Sequence, residues 1–403
     1  MRSTTPHDHT SADVIRQDQT WGAHNYHPLP IVVTEAKGAW VTDVDGRRYL
    51  DCLSAYSALN QGHVHPRILA AFQAQAARVT LTSRAFYNDQ LPPFCERLAR
   101  LCQLDAVLPM NSGAEAVETA IKAARRWGYQ VKRIPRDTAE IIVCDHNFHG
   151  RTTTIVGFSS DDAYREGFGP FTPGFVRVPY GDLDALARAI TPRTCAFLVE
   201  PIQCEAGILM PPDGFLRDAA ALCAREEVLF IADEIQTGLG RTGKWFACEH
   251  EGVQPDIYVL GKALSGGFYP ISAVVGRRAV MDVFTPGSHG STYGGNPLGC
   301  AVAMTALDVI ADEGLVERAA RLGPPMIEAL RRLSAPIVRE VRGRGLLIGI
   351  ELVGHARPYC ERLLERGVLC KETHDHVIRL APPLVTDEAD LEWLVEQVRQ
   401  VIG

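Results

Sequence analysis

No C-x-x-C pair occurs among the 11 cysteines of this 403-residue chain, and the thiols are scattered along it. In a chain of this length such scatter predicts reduced thiols in a cytosolic protein rather than a disulfide framework. Positive charge is not in excess either. A net charge of −7 and a pI of about 6.0 leave no electrostatic case for nucleic acid or an anionic membrane. No apolar run approaches the length of a membrane span. The first 20 residues, MRSTTPHDHTSADVIRQDQT, hold three aspartates and no apolar core, so neither a secretory signal nor a transit peptide is expected. Internal repeats and low-complexity tracts are missing too. What remains is 46% apolar and 22% charged residues, the balance of a soluble globular enzyme with room for two or three domains and a large core.

After the polar start, Trp21 to Pro30 is aromatic and proline-bound, unlike a tail. Short strands are predicted over 31–34 and 39–42, with an Asp45-Gly46 turn leading into 48–50. Asp51 to Pro66 reads as a loop of small and polar residues around Tyr56, lining a pocket. Its His63 and His65 lack nearby acids or thiols in sequence, so loop hydrogen bonding is the expectation over a metal pair. Helices are predicted over 67–79 and 91–103, then a strand over 104–110 and a strong helix from Asn111. Ser112 and Glu115 fit a capping box, and the same helix start, with Gly113 allowing close approach, could hold a phosphate. Strands over 141–144, 196–199 and 271–275, with a helix over 215–227, continue the alternation through residue 280 and imply a mostly parallel sheet. A long helical stretch from 297 to about 333 follows. Strands over 337–341, 346–352 and 377–380 and a helix over 357–366 then make a smaller α+β unit. Arg379 sits inside an apolar run there, where a buried charge must be paired.

The most informative stretch is 228–267. Two β-rich apolar runs, Val228–Ala232 and Asp256–Leu260, read as buried parallel strands. The first ends in Asp233-Glu234 and the second in Gly261-Lys262. Ligands of open α/β sheets sit at the carboxyl ends of strands, so an acid and a lysine leave adjacent strands at the reactive edge. An amine facing a fixed carboxylate suits a carbonyl cofactor held as a Schiff base, with the acid on its ring nitrogen. An isolated pair of this kind would read as a loop cap and a solvated lysine; here Ser265-Gly266-Gly267 adds a turn that lets backbone approach a ligand. Within the stretch, Gly238-Leu-Gly240-Arg-Thr-Gly243 matches the dinucleotide pattern G-x-G-x-x-G. In that fold the first glycine directly ends the strand, whereas here Asp233 to Thr237 intervene.

These pieces resemble the class III (fold type I) pyridoxal phosphate-dependent aminotransferases over about residues 20–400, and within them the members that act on ornithine. The motifs carrying the resemblance are Ala23–Pro30, Tyr56–His63, Leu81–Asn88, Glu200-Pro-Ile-Gln203, Asp233–Gly238, Gly261–Gly267, Gly290–Pro297 and Ile378–Pro383. The resemblance implies pyridoxal 5'-phosphate as cofactor and an α/β fold, with a large mostly parallel-sheet domain and a smaller α+β domain. The polar residues 1–20 are expected to form a mobile tail; the resemblance implies an N-terminal segment over 21–55 that packs with the small domain, the large domain over 56–300 and the small one over 301–403. Lys262 would carry the cofactor and move the proton, and Asp233 would keep the ring nitrogen protonated. Ser112, Gly113 and Ala114 would bind the phosphate, Phe148 stack on the ring and Gln236 meet its oxygen. Thr292 would reach the phosphate of a neighbouring subunit, making a homodimer or larger assembly. Arg151 would bind the distant substrate carboxylate, and Tyr26 the α-amino group. Tyr56 would shape the pocket, while Glu205 would pair with Arg379 as a gate. The implied substrates are ornithine with 2-oxoglutarate and glutamate. The rivals are N-acetylornithine or another ω-amine on the same scaffold, a racemase or aminomutase, and a non-catalytic binding protein. Two departures stand out: Cys204 replaces the usual glycine, and His149 stands where ornithine relatives often carry another aromatic.

Overall fold

The computed structural model describes residues 10–333 and 335–403. The first three strands are β1 (Val33–Lys37), β2 (Trp40–Asp43) and β3 (Arg48–Asp51). Seven follow: β4 (Ala106–Met110), β5 (Glu140–Cys144), β6 (Phe175–Val178), β7 (Thr194–Val199), β8 (Leu229–Asp233), β9 (Ile257–Leu260) and β10 (Ser272–Gly276). The last five are β11 (Val338–Arg344), β12 (Leu347–Leu352), β13 (Val368–Leu369), β14 (Lys371–Thr373) and β15 (Val377–Leu380).

The seven middle strands form one sheet in the order β4-β10-β9-β8-β7-β5-β6. All run parallel except β10, which is antiparallel to both β4 and β9. Side chains alternate across this sheet into two cores. Ile141, Val143, Ala196, Leu198, Leu229, Ile231, Ile257 and Val259 face the helix Gly113–Gln130. Ile142, Cys144, Phe197, Val199, Phe230, Ala232, Tyr258 and Leu260 face the opposite side, against the helices Phe215–Arg225 and Pro297–Asp312. Burial on both faces is why these strands read as unbroken apolar runs.

The remaining strands make two smaller sheets, β1-β2-β3-β13 and β11-β12-β15-β14. In the first, β13 from the C-terminal part lies parallel to β3. The second is antiparallel throughout. Three expectations need correction. The polar start, read as a tail, holds a helix, Ser11–Trp21, capped by a reciprocal Thr10/Asp13 capping box although it buries no residue. Residues 1–9 of that expected tail lie outside the described residues. The helical stretch from 297 is two helices, Pro297–Asp312 and Leu315–Arg331, because Gly314 turns left-handed between them. The first two strands also start one to two residues later than expected, at Val33 and Trp40.

Candidate active site

Three neighbouring strands deliver ionisable groups to one edge. Glu200 follows β7, Asp233 ends β8, and Gly261-Lys262 follows β9. Glu200, Asp233 and Lys262, with Gly113, Ala114, Phe148, His149 and Gln236, line a cavity of about 160 Å3. Asp233 is held from two sides: His149 Nδ1 donates to its Oδ2 at 2.6 Å and the Ile235 amide to its Oδ1 at 3.1 Å. Burial disfavours the His149 imidazolium, but the hydrogen bond and charge of Asp233 outweigh it and hold its pKa above the usual histidine value. Glu200 accepts the Phe148 amide at 2.8 Å. Burial pushes its carboxyl up to about 8, so it is largely protonated at neutral pH. Burial also lowers the Lys262 ammonium, against the opposing pull of Glu205, and so favours the nucleophilic amine. Lys262 sits at φ 44°, a left-handed conformation that lysine adopts only when its surroundings impose it.

Beside this cavity, outside its lining, lie Arg379 of β15 and, on two irregular segments, Glu205 and Tyr56. Arg379 is buried and donates from Nη1 to Glu205 Oε1 at 2.6 Å, and Gln236 Nε2 reaches the same oxygen at 3.1 Å. Burial would raise the Glu205 carboxyl, yet Arg379 and Lys262 win and hold it below the usual range. The loop carrying Glu205 is pinned through its backbone. Thr373 Oγ1 donates to the Glu205 carbonyl, and Arg342 donates to the carbonyls of Gly207 and Ile208. Cys204 is buried in the cavity wall, its thiol donating to the Ile202 carbonyl at 3.4 Å. Over Arg379, at 4.8 Å, lies the ring of Tyr56. Tyr56 belongs to a left-handed turn, Ser54 to Ser57, with φ of 51°, 47°, 60° and 68°. Such a turn of L-residues costs ~1–2 kcal/mol per residue and needs compensation. Asp51 supplies some of it by accepting the Leu53 and Ser54 amides at 2.9 Å each, and Ser54 Oγ donates to the Ala381 carbonyl at 2.6 Å. His63 braces Asp51 at 2.8 Å and His65 pairs with Glu313 at 2.9 Å, so the two histidines make loop hydrogen bonds as expected.

Ser112 caps the helix Gly113–Gln130 through the capping box with Glu115, which leaves the first-turn amides of Gly113 and Ala114 without an intrahelical acceptor. Ser272 Oγ, at the start of β10, donates to the Ser112 carbonyl at 2.7 Å. Arg151 lies outside the cavity lining, its guanidinium 3.9 Å from the Tyr164 ring centre and 5.3 Å from that of Phe148. Tyr26 is 70% exposed and shares with Tyr56 a separate, larger cavity of about 1350 Å3. Thr292 is exposed and lines neither space. Its loop is tied down by Asn111 donating to Ser291 Oγ at 3.0 Å and Asn88 to the Gly295 carbonyl at 3.3 Å. The roles expected from sequence left out His149 and Glu200 as partners of the Asp233 site. The rule that found Asp233, an acid at a strand's carboxyl end, would also have found Glu200.

The residues fit pyridoxal 5'-phosphate. A lysine and a buried acid share one cavity, a helix start with free amides lies beside it, and the Gln236 Oε1 and His149 Nε2 atoms are buried without partners. The class-III aminotransferase family profile matches residues 21–402. An ornithine aminotransferase of Brevibacillus brevis is 60% identical over 96% of this chain and 98% of its own length. Among solved structures, the ornithine aminotransferase of Toxoplasma gondii, described with pyridoxal phosphate in partial occupancy at its active site, superposes with a TM-score of 0.97 at 46% identity, covering 98% of this chain and 94% of that one. An acetylornithine aminotransferase of Elizabethkingia anophelis gives 0.89 at 49% identity, covering 97% and 98%.

Proposed function

The chain belongs to the class-III aminotransferase family, and from that premise we propose that it moves the δ-amino group of L-ornithine to 2-oxoglutarate, giving glutamate 5-semialdehyde and L-glutamate. The observation that carries this reading is Glu205 seated on Arg379. Ornithine presents its δ-carbon with no carboxylate beside it, whereas glutamate presents an α-carboxylate there. A bare buried arginine would be left unpaired in the first case. Glu205 neutralises it for ornithine and swings away for glutamate. Because the loop backbone is pinned by Thr373 and Arg342, the swing is confined to the side chain.

When bound, pyridoxal 5'-phosphate supplies a carbonyl that takes up the amino group and a ring that accepts electrons as a proton leaves the substrate carbon. Lys262 Nζ, whose ammonium form burial disfavours, would hold the cofactor and carry that proton. Asp233, oriented by His149, holds a proton at the ring nitrogen. Glu200 fixes the Phe148 backbone so that its ring can cover the cofactor face. Gly113 and Ala114 present amides to the phosphate, with Ser112 at the cap. Gln236 meets the ring oxygen, Arg151 the distant carboxylate, Tyr26 the α-amino group, and Tyr56 limits the pocket above Arg379. Thr292, exposed and absent from the lining of its own cavity, would serve the phosphate of a second copy, which makes the enzyme at least a homodimer on this reading. All 11 cysteines are free, which supports a cytoplasmic setting, and no described helix is long and apolar enough to cross a membrane. We divide the chain as expected from sequence, into an N-terminal segment to 55, a cofactor domain over 56–300 and a small domain from 301.

An amino-donor panel with 2-oxoglutarate, following keto acid loss and pyrroline formation together, tests the substrate. Ornithine should be turned over far faster than N-acetylornithine. Equal turnover would overturn the assignment while leaving the reaction class intact.

A further inference from the structure

The G-x-G-x-x-G string Gly238–Gly243 has no part in the chemistry above, yet it carries the most deeply buried arginine among the described residues. Arg241 is completely buried. Its Nη1 donates to the carbonyls of Leu346 at 3.0 Å and Pro382 at 2.5 Å, and its Nη2 to Asn60 Oδ1 at 2.5 Å. All three acceptors are neutral, and no carboxylate pairs with it among the described residues. A buried cation with no carboxylate in contact, only the nearby charge of Asp51, is expensive, and a fold that needed only packing would place an apolar side chain there.

The acceptors explain the choice. Asn60 ends the segment that begins with the left-handed turn of Tyr56; its own Nδ2 donates to the Leu239 carbonyl at 2.9 Å and its carbonyl accepts the Leu384 amide at 2.9 Å. Pro382 lies three residues beyond Arg379 on the same chain exit. Leu346 sits in the turn between β11 and β12 and donates its amide back to the Arg241 carbonyl at 3.1 Å. Next to it, a Cβ on Gly345 would meet the Thr242 backbone at 2.5 Å, so the contact is close enough to require glycine. Arg241 itself belongs to the loop that leaves Asp233 and Gln236. One guanidinium therefore joins the segment of Tyr56, the segment of Arg379 and the loop of Asp233 and Gln236. Its planar fork makes this possible, since it offers several donors in fixed directions.

We propose that Arg241 is a positioning residue that sets the distance between the cofactor end of the site and its carboxylate end. The proposal rests on the function proposed above, because it takes Arg379 as the group that receives glutamate's α-carboxylate. In the ornithine half-reaction Arg379 is already satisfied by Glu205. Misplacing it should therefore harm glutamate more than ornithine.

The test uses holoenzyme of Arg241→Lys, which keeps the charge but cannot reach all three acceptors, well below its melting temperature. Cofactor content by absorbance, and single-turnover rate and apparent substrate affinity for each amino donor, are measured separately. The expected result is full cofactor content, with the glutamate-to-ornithine ratio of kcat/KM lowered at least tenfold, mainly through KM for glutamate. A lowered melting temperature with an unchanged ratio would make Arg241 a purely structural bolt and overturn the proposal. Equal loss on both donors would overturn it too. If Arg241→Lys does not fold, Asn60→Ala removes one acceptor and leaves the guanidinium in place, and is judged by the same ratio. A wild-type enzyme that is inactive on ornithine would sink the functional reading itself, an outcome distinct from an unmoved ratio in an active one.

Discussion

At the cofactor end, Glu200, Asp233 and Lys262 stand at the ends of three adjacent parallel strands, each buried on both faces and separated by the regular spacing of the sheet. At the carboxylate end, Tyr56, Glu205 and Arg379 come from a left-handed turn, a pinned loop and a strand of another sheet, joined by side chain-to-carbonyl bonds across long stretches of sequence. The first end follows from strand order and needs no special backbone except at Lys262. The second is assembled from pieces that hold one another in costly conformations. On the proposed function, the chemistry step is common to both substrates and belongs to the regular end. Discrimination between the two amino donors is then the work of the irregular end, through the proposed change of partner at Arg379.

The largest effect should come from the regular end. Lys262→Ala should keep cofactor through the phosphate and ring contacts yet lose transamination by roughly 10^4-fold or more, and borohydride, which should fix cofactor to Lys262 in the wild type, should fix none in the variant. A colourless wild-type protein that stays inactive with added pyridoxal phosphate would remove the basis of the comparison. At the other end, Glu205→Ala should leave cofactor content intact and raise the glutamate half-reaction relative to ornithine by tenfold or more, ~1.4 kcal/mol in the ratio of kcat/KM. Both half-reactions slowed equally would mean that the pair is a fixed brace and that the two ends do not divide the labour.

Glu200 offers a pH test of the regular end. Its folded-state pKa, about 8, lies above the ordinary 4.5, so its contribution to stability is complete below about 4.5 and is lost as pH rises through 8. Glu200→Gln keeps an acceptor for the Phe148 amide and removes that titration. Denaturation profiles of the two proteins should nearly coincide at pH 5, diverge as pH rises to 8 and stay apart by a constant amount above it, the variant being more stable there by ~1–3 kcal/mol. Parallel profiles across this range would place the carboxyl in a wetter setting than its burial implies. The smallest effect concerns strain at the irregular end. Ala55 is exposed at φ 47°, so Ala55→Gly should stabilise the protein by ~0.5 kcal/mol and change KM less than twofold. A destabilised variant would show that the turn is not strained at that position.

The same division governs what could be read from sequence. Apolar runs closed by Asp233 and by Lys262 announced two adjacent strand ends, and the Ser112/Glu115 spacing announced a helix start; both signals are local. The direction of β10 was not legible, because a fully buried run looks the same either way. The helix Ser11–Trp21 was missed although its Thr10-x-x-Asp13 cap is written in the sequence, since no residue of it is buried to give an apolar stripe. The Ser54–Ser57 turn contains no glycine to advertise positive φ. Arg241 could not be interpreted at all: its acceptors lie 105, 141 and 181 residues away in the chain.

The bond from Ser272 to the Ser112 carbonyl has one more consequence. The chain leaves Lys262, turns back through the glycines at 266 and 267, and returns on β10 to the very helix start proposed to receive the phosphate. Protein alone thus acts as a gauge between the amine and the anion site, and it is set before any cofactor arrives. A ligand must span that fixed gap to engage both ends, so pyridoxal lacking its phosphate can occupy only one jaw of the gauge. Lengthening the 263–271 excursion would reset the measure rather than loosen the grip.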